Sequence, residues 1–275
     1  MPELPELETI RRNLAPNLEG RLIMSADILL GRQIKWPEPG QFVARITGRT
    51  IEKLDRVGKY LLIRLDNGTA LIFHLRMTGQ LCYRPKGAEE AKHARIIMRL
   101  DGGDQLVYAD TRTLGTIYAM KEDEIDNIKG LAEMGPEPLS SEFTVDYLKS
   151  VMAGKKTRIK SFLLDQSKVG GLGNIYVDEA LFLSGIHPMR TAGSIGNDEL
   201  TLLYTNINRV ISEGIRDGGT TFRDYRNGNG EKGSHQDNLF AYARDGKPCR
   251  VCGTIMEKIR VGGRGTHFCP SCQVL

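Results

Sequence analysis

Four cysteines near the C-terminus, Cys249, Cys252, Cys269 and Cys272, constrain this chain more than any other feature. They form two Cys-x2-Cys pairs separated by sixteen residues. Each pair sets two thiolates on one tight turn, and two such turns close a tetrahedron around a single Zn2+. Two disulfides are the alternative, and they suit an oxidising compartment. A zinc ion held by four sulfurs has no open position for chemistry. Its role would be to fold the last thirty or so residues, which could not fold alone. Between the pairs, TIMEKIRVGGRGTHF alternates like a β-hairpin that turns at Gly262-Gly263. Arg264 then stands at the hairpin tip, where a guanidinium can meet a phosphate.

No apolar run reaches the ~20 residues of a membrane span, and the acidic N-terminus lacks a signal-peptide core. The chain is therefore expected in the reducing cytosol, or a nucleus, and off the membrane, where paired cysteines fit metal ligation better than disulfides. Cys82, in an apolar stretch, reads as a small buried hydrophobe.

At 275 residues the chain is long enough for more than one domain. From Arg21 to Met120 short β-rich runs (KYLLIRLD, TALIFHLRM, ARIIMRL, QLVYAD) alternate with Gly, Asp and Asn turns, the pattern of a β-sandwich or barrel. A helix precedes it, since Leu7, Ile10 and Leu14 share one face and Pro5 suits a first turn. After EMGPEPLSSEF (133–143) the period becomes helical. The expectation is an α+β multidomain protein. Residues 1–133 form the N-terminal sandwich with its leading helix, 134–242 a helical domain that includes a polar, glycine-rich loop at 217–238, and 243–275 the zinc-ribbon hairpin.

The net charge of +4 is too small to name a polyanionic partner. Two local clusters, 155–168 with five Lys/Arg and 244–267 with six, fit either a polyanion or a solvated face. GGLGN (170–174) ahead of an amphipathic run can offer backbone N–H groups to an anion, or can simply cap a helix. No strand precedes it, so a dinucleotide fold is excluded, and GNGEKG (228–233) lies in a polar loop.

The opening PELPELE is the least ordinary stretch. Removal of Met1 would leave Pro2 as a secondary α-amine, which titrates near ~7.7–8.0 and is partly unprotonated at neutral pH. Such an amine condenses with an aldehyde-equivalent carbon to an iminium ion, an electron sink for breaking neighbouring bonds. Glu3 and Glu6 project toward the same helix end and suit acid and orienting roles; the alternative is that they only favour the helix dipole.

Taken in order, PELPELE, GKYLL (58–62), HLRMTG (74–79), GPEPL (135–139), LLDQ (163–166), GLGNIYVDEALF (171–182), GGTTFRDY (218–225) and GGRGTHFCPSC (262–272) resemble the formamidopyrimidine-DNA glycosylase family from end to end. The resemblance implies a bifunctional glycosylase and AP lyase acting on double-stranded DNA that carries oxidised purines or abasic sites. It implies a monomer in the bacterial cytoplasm, at the nucleoid, with one structural Zn2+. It assigns catalysis to Pro2, Glu3, Glu6 and Lys59. Phosphate contacts around an everted nucleotide fall to Lys59, His74, Asn174 and Arg264, with GGLGN in a helix-two-turn-helix. A wedge that fills the vacated stack is made by Met77, Arg112 and Leu114. Phenylalanine is usual in the family where Leu114 stands, and leucine cannot stack on a base. Loop 217–238 matches the lesion-recognition loop, with Thr220, Thr221 and Tyr225 contributing largely through backbone groups. The rival readings are a relative resembling endonuclease VIII, against which PELPE rather than PEGPE argues; a tautomerase, against which chain length and the cysteines argue; and a non-catalytic DNA-binding relative.

Overall fold

The structure is a computed structural model that describes residues 1–89 and 91–275. It divides into two compact units, Met1–Ala132 with Asp217–Gln236, and Glu133–Arg216 with Asp237–Leu275.

The first unit opens with α1 (Leu4–Leu18), which has Pro5 in its first turn and buries Leu7, Ile10, Leu14 and Leu18 along one stripe. Pro16 cannot donate back to the preceding turn, and the helix ends at Glu19. Among the described residues nine strands follow: β1 (Leu22–Ile28), β2 (Ile34–Trp36), β3 (Arg49–Val57), β4 (Tyr60–Leu65), β5 (Thr69–His74), β6 (Gly79–Arg84), β7 (Ala94–Leu100), β8 (Gln105–Asp110) and β9 (Thr116–Lys121). Their order is β2-β9-β5-β4-β3-β1-β7-β8-β6. The β1/β3 pairing that joins the two halves of the sheet is short, Leu22 with Thr50 and Ile23 with Arg49. The sheet folds over at this corner into a sandwich. Alternate residues, Leu61 and Ile63 of β4, Leu71 and Phe73 of β5, Met98 of β7 and Leu106 and Tyr108 of β8, point into one shared core with α1. Each such Leu or Ile contributes roughly 1.5–3 kcal/mol when fully buried. The sandwich with its leading helix is as expected.

Segment 217–236 departs from the expected division, which placed it with the helices. The Ser234 N–H donates to Asp217 O at 3.0 Å and the His235 N–H to Gly219 O at 3.1 Å, so the segment closes on itself. The Tyr83 N–H then ties it to β6 by donating to Gly228 O at 3.0 Å. Buried backbone groups must be paired wherever the segment lies, and here they pair with one another and, at Gly228, with β6.

The second unit holds α4 (Val145–Met152), α5 (Ile159–Leu163), α6 (Asn174–Leu183) and α7 (Asn197–Arg216), numbered after the short α2 (Pro39–Ile46) and α3 (Lys129–Ala132) of the first. Thr144 caps α4 by accepting the Tyr147 N–H at 3.0 Å. In α7, Leu200, Leu203, Ile207, Val210 and Ile211 recur at helical spacing and are buried. The C-terminal hairpin, β10 (Glu257–Val261) and β11 (Arg264–Phe268), pairs Val261 with Arg264 as expected. It groups with these helices. Cys249, Cys269 and Met256 share a small core with Phe182 of α6, and the buried Glu179 carboxylate accepts the N–H groups of Phe240, Ala241 and Tyr242 at 2.7–2.9 Å. Among the described residues, no helix is long and apolar enough to cross a membrane.

Candidate active site and nucleic-acid interface

The three carboxylates of PELPELE do different work. Glu8 accepts from Arg11 and Arg12 and lies 3.5 Å from Arg56. Burial opposes its charge, but the guanidinium hydrogen bonds prevail and hold its carboxyl down to about 2. Glu6 is buried and spans two segments: Oε2 accepts the Glu3 N–H at 2.8 Å and Oε1 the Thr220 N–H at 2.8 Å. Glu3 is the N-cap residue of α1, in extended conformation and 3 % exposed, next to the buried Pro2. A carboxylate fastened to two backbone donors serves as an anchor. Glu3 is the one that adjoins the proline nitrogen along the chain.

Lys59 sits in the turn between β3 and β4 and is buried. His74 lies opposite Tyr60 in the β4–β5 ladder, its ring edge-on to Tyr60 with centroids 4.6 Å apart. Burial first, then the charges of Arg76 and Lys59, push the His74 imidazole down to about 3, so it is neutral at physiological pH. Its Nδ1 accepts the Arg76 N–H at 3.2 Å, which leaves the proton on Nε2. His74 therefore offers an uncharged N–H donor beside a lysine.

Met77, Arg112 and Leu114 are all exposed, on two loops at the ends of β5 and β8. Both loops rest on Asp110, a residue that the sequence reading passed over. Its Oδ1 accepts the Thr78 hydroxyl at 2.5 Å and the Arg112 N–H at 3.2 Å. Its Oδ2 accepts the Gly115 N–H at 2.9 Å, Gln33 Nε2 at 2.9 Å and the Tyr108 hydroxyl at 3.1 Å. Burial disfavours the ionised carboxyl, yet these donors hold it below the usual range. The only sequence signal was a polar residue closing an alternating strand. Asp110→Asn turns an amide N–H2 toward groups that already donate and should cost about 1–3 kcal/mol in urea unfolding. It should also speed hydrogen exchange at Arg112 and Gly115. Unchanged exchange there would remove Asp110 as the support of both loops.

The loop residues face inward. Thr220 and Thr221 are buried, and the Thr221 hydroxyl accepts the Gly233 N–H at 3.0 Å. Tyr225 belongs to the sandwich core, and its hydroxyl donates to Gly218 O at 3.1 Å. A ring of that size gains more from burial than from solvent, so Tyr225 holds the loop here and the exposed aromatic is Phe222. Gly219 has φ +83, and a Cβ there would lie 2.9 Å from Glu6 Cγ, so the turn needs glycine. Cys82, expected to be buried, is half-buried on β6 with Asn227 O 3.6 Å from its sulfur.

In the second unit, Asn174 opens α6 and donates from Nδ2 to Gly265 O at 2.9 Å, while Arg264 is exposed at the start of β11. The four cysteine sulfurs lie within 4.8 Å of one another, with Cys249 to Cys272 at 3.9 Å and Cys252 to Cys269 at 3.5 Å. A tetrahedron with Zn–S bonds of about 2.3 Å has sulfur–sulfur edges of about 3.8 Å. The Val251 and Cys272 N–H groups donate to Cys249 and Cys269 sulfur, each at 3.4 Å, as thiolates require. The set fits one structural Zn2+.

Comparison with known proteins matches residues 1–117 to the formamidopyrimidine-DNA glycosylase N-terminal domain, 134–226 to the helix-two-turn-helix domain of that enzyme, and 246–274 to a zinc finger found in it and in isoleucyl-tRNA synthetase. These three parts in this order define a class of multidomain proteins with a zinc finger. A formamidopyrimidine-DNA glycosylase of Desulforamulus reducens is 46% identical over 99% of both chains. The Lactococcus lactis enzyme in complex with abasic-site DNA superposes with TM-score 0.93 at 36% identity, covering 99% of this chain and 100% of that one. MutM in complex with carbocyclic 8-oxo-G DNA gives 0.92 at 36% identity over both whole chains. The chain belongs to the formamidopyrimidine-DNA glycosylase family.

Proposed function

We propose that this chain is a bifunctional DNA glycosylase and AP lyase of base-excision repair, acting in the cytoplasm on duplex DNA that holds oxidised purines. The observation that carries the reading is the proline end, where Glu8 is held by arginines and Glu6 by two backbone N–H groups, and Glu3 adjoins Pro2. Relatives solved with abasic-site and 8-oxo-G DNA support the substrate class.

With Met1 removed, the Pro2 nitrogen attacks C1′ of the damaged nucleoside. The bond from C1′ to the base breaks, Glu3 protonates the ring oxygen as the sugar opens, and an iminium ion forms between Pro2 and C1′. Loss of a C2′ proton then expels the 3′ phosphate, and a second elimination expels the 5′ phosphate, leaving a one-nucleotide gap with phosphate ends. Glu6 keeps the helix start and the recognition loop in register. Lys59 and the neutral His74 donor take phosphate oxygens in the first unit, and Asn174 and Arg264 take them in the second. Met77, Arg112 and Leu114 fill the vacated stack, with leucine filling volume without aromatic contact. The zinc ion, when bound, supplies fold to the hairpin and no chemistry. Functionally, residues 1–133 with the loop form the catalytic part, 134–242 apart from the loop the helical DNA grip, and 243–275 the zinc finger.

Borohydride trapping with an 8-oxoguanine:cytosine duplex, followed by peptide mapping, should give an adduct on Pro2. Trapping only with an oxidised pyrimidine would move the chain to the endonuclease VIII-like branch, and no trapping with either would end the enzymatic reading.

A further inference from the structure

Lys160 belongs to the basic cluster 155–168 that reads in sequence as a solvated or polyanion-facing surface, yet its side chain is wholly buried. Its Nζ donates to Asp178 Oδ1 at 2.6 Å and to Gly265 O at 3.1 Å. The other oxygen of Asp178 accepts the His267 backbone N–H at 3.0 Å and lies 3.1 Å from the His267 ring nitrogen Nδ1. The far ring nitrogen of His267 is 3.3 Å from Asp245. Gly265 O also accepts from Asn174. At the turn, a Cβ on Gly262 would meet Ser161 Oγ at 2.5 Å, so the tip is seated directly on α5.

The hairpin is thus pinned at residues 262, 265 and 267, on both sides of Arg264. Removing a buried ion pair's charges together is often tolerated for stability, so stability alone does not account for a lysine and an aspartate buried here. We propose that the Lys160–Asp178 pair is a positioning device that holds Asn174 and Arg264 as one rigid phosphate-binding surface on the zinc hairpin and α6. The proposal rests on the reading of Asn174 and Arg264 as phosphate contacts, and deepens it.

The test is binding of an abasic-analogue duplex as a function of salt, by the zinc-loaded full chain. Arg264→Ala should lower the slope of log affinity against log salt by about 0.9, one phosphate contact. An unchanged slope would overturn the phosphate reading itself. Given that drop, Lys160→Met/Asp178→Asn, which removes both buried charges together, should weaken binding about tenfold or more and lower the slope by a similar amount. Added to Arg264→Ala with Asn174→Ala, it should cost less than about twofold further, because the surface it holds in place is already gone. Parental affinity in the double variant, or full additivity with Arg264→Ala and Asn174→Ala, would overturn the proposal. Asp178→Glu keeps both buried charges but lengthens one arm of the pair, and must show a loss of affinity and slope in the same direction. It decides the question if the double variant does not fold or loses zinc.

Discussion

Glu3→Gln should lose base excision by roughly 10²- to 10⁴-fold, the usual contribution of a positioned general acid, while binding abasic-site DNA as tightly as the parent. The substitution keeps shape and removes only the proton that the opening sugar needs. No neighbouring carboxylate can replace it. Glu8 is held ionised among three arginines, and both oxygens of Glu6 are taken by backbone N–H groups. Single-turnover excision at saturating protein is the measurement, and a parental rate would assign the acid to another group.

Loss of the metal should be as damaging to binding as loss of Glu3 is to chemistry. Chelation, or Cys269→Ser, removes a ligand set whose assembly in zinc-finger peptides is worth about 10–16 kcal/mol. The consequences reach beyond the hairpin. Without an ordered β11, Arg264 loses its place, and Asn174 and Lys160 lose the Gly265 carbonyl they share. Affinity for lesion DNA should fall at least about 100-fold at moderate salt, while the β-rich circular dichroism of the sandwich persists. Zinc release followed with a colorimetric chelator, alongside DNA titration, checks this; full affinity in the zinc-free chain would make the hairpin dispensable.

What the sequence showed well were features written in local order. The cysteine spacing, the short apolar runs of β4 and β8, the 3.6-residue stripe of α7 and the Gly262-Gly263 turn each depend on residues a few positions apart. What it hid were polar groups whose meaning comes from partners far along the chain. Lys160 looked like surface charge because its neighbours in sequence are charged, and only Asp178 and Gly265 make it an interior residue. Asp110 looked like the end of a strand until Thr78, Gln33 and Gly115 converged on it. Tyr225 sat in a polar, aperiodic loop, where nothing nearby signals that its ring completes the sandwich core. The loop was assigned to the helices on sequence order, whereas it groups with the sandwich.

The bond between Glu6 and Thr220 joins residues 214 apart. At a synthesis rate of roughly 5–20 residues per second, Thr220 leaves the ribosome some 10–40 seconds after Glu6. During that interval α1 and the strands can assemble, but the Glu6 carboxylate at the start of α1 has only one of its two backbone donors. A nascent chain therefore cannot complete its reactive end until the loop has been translated.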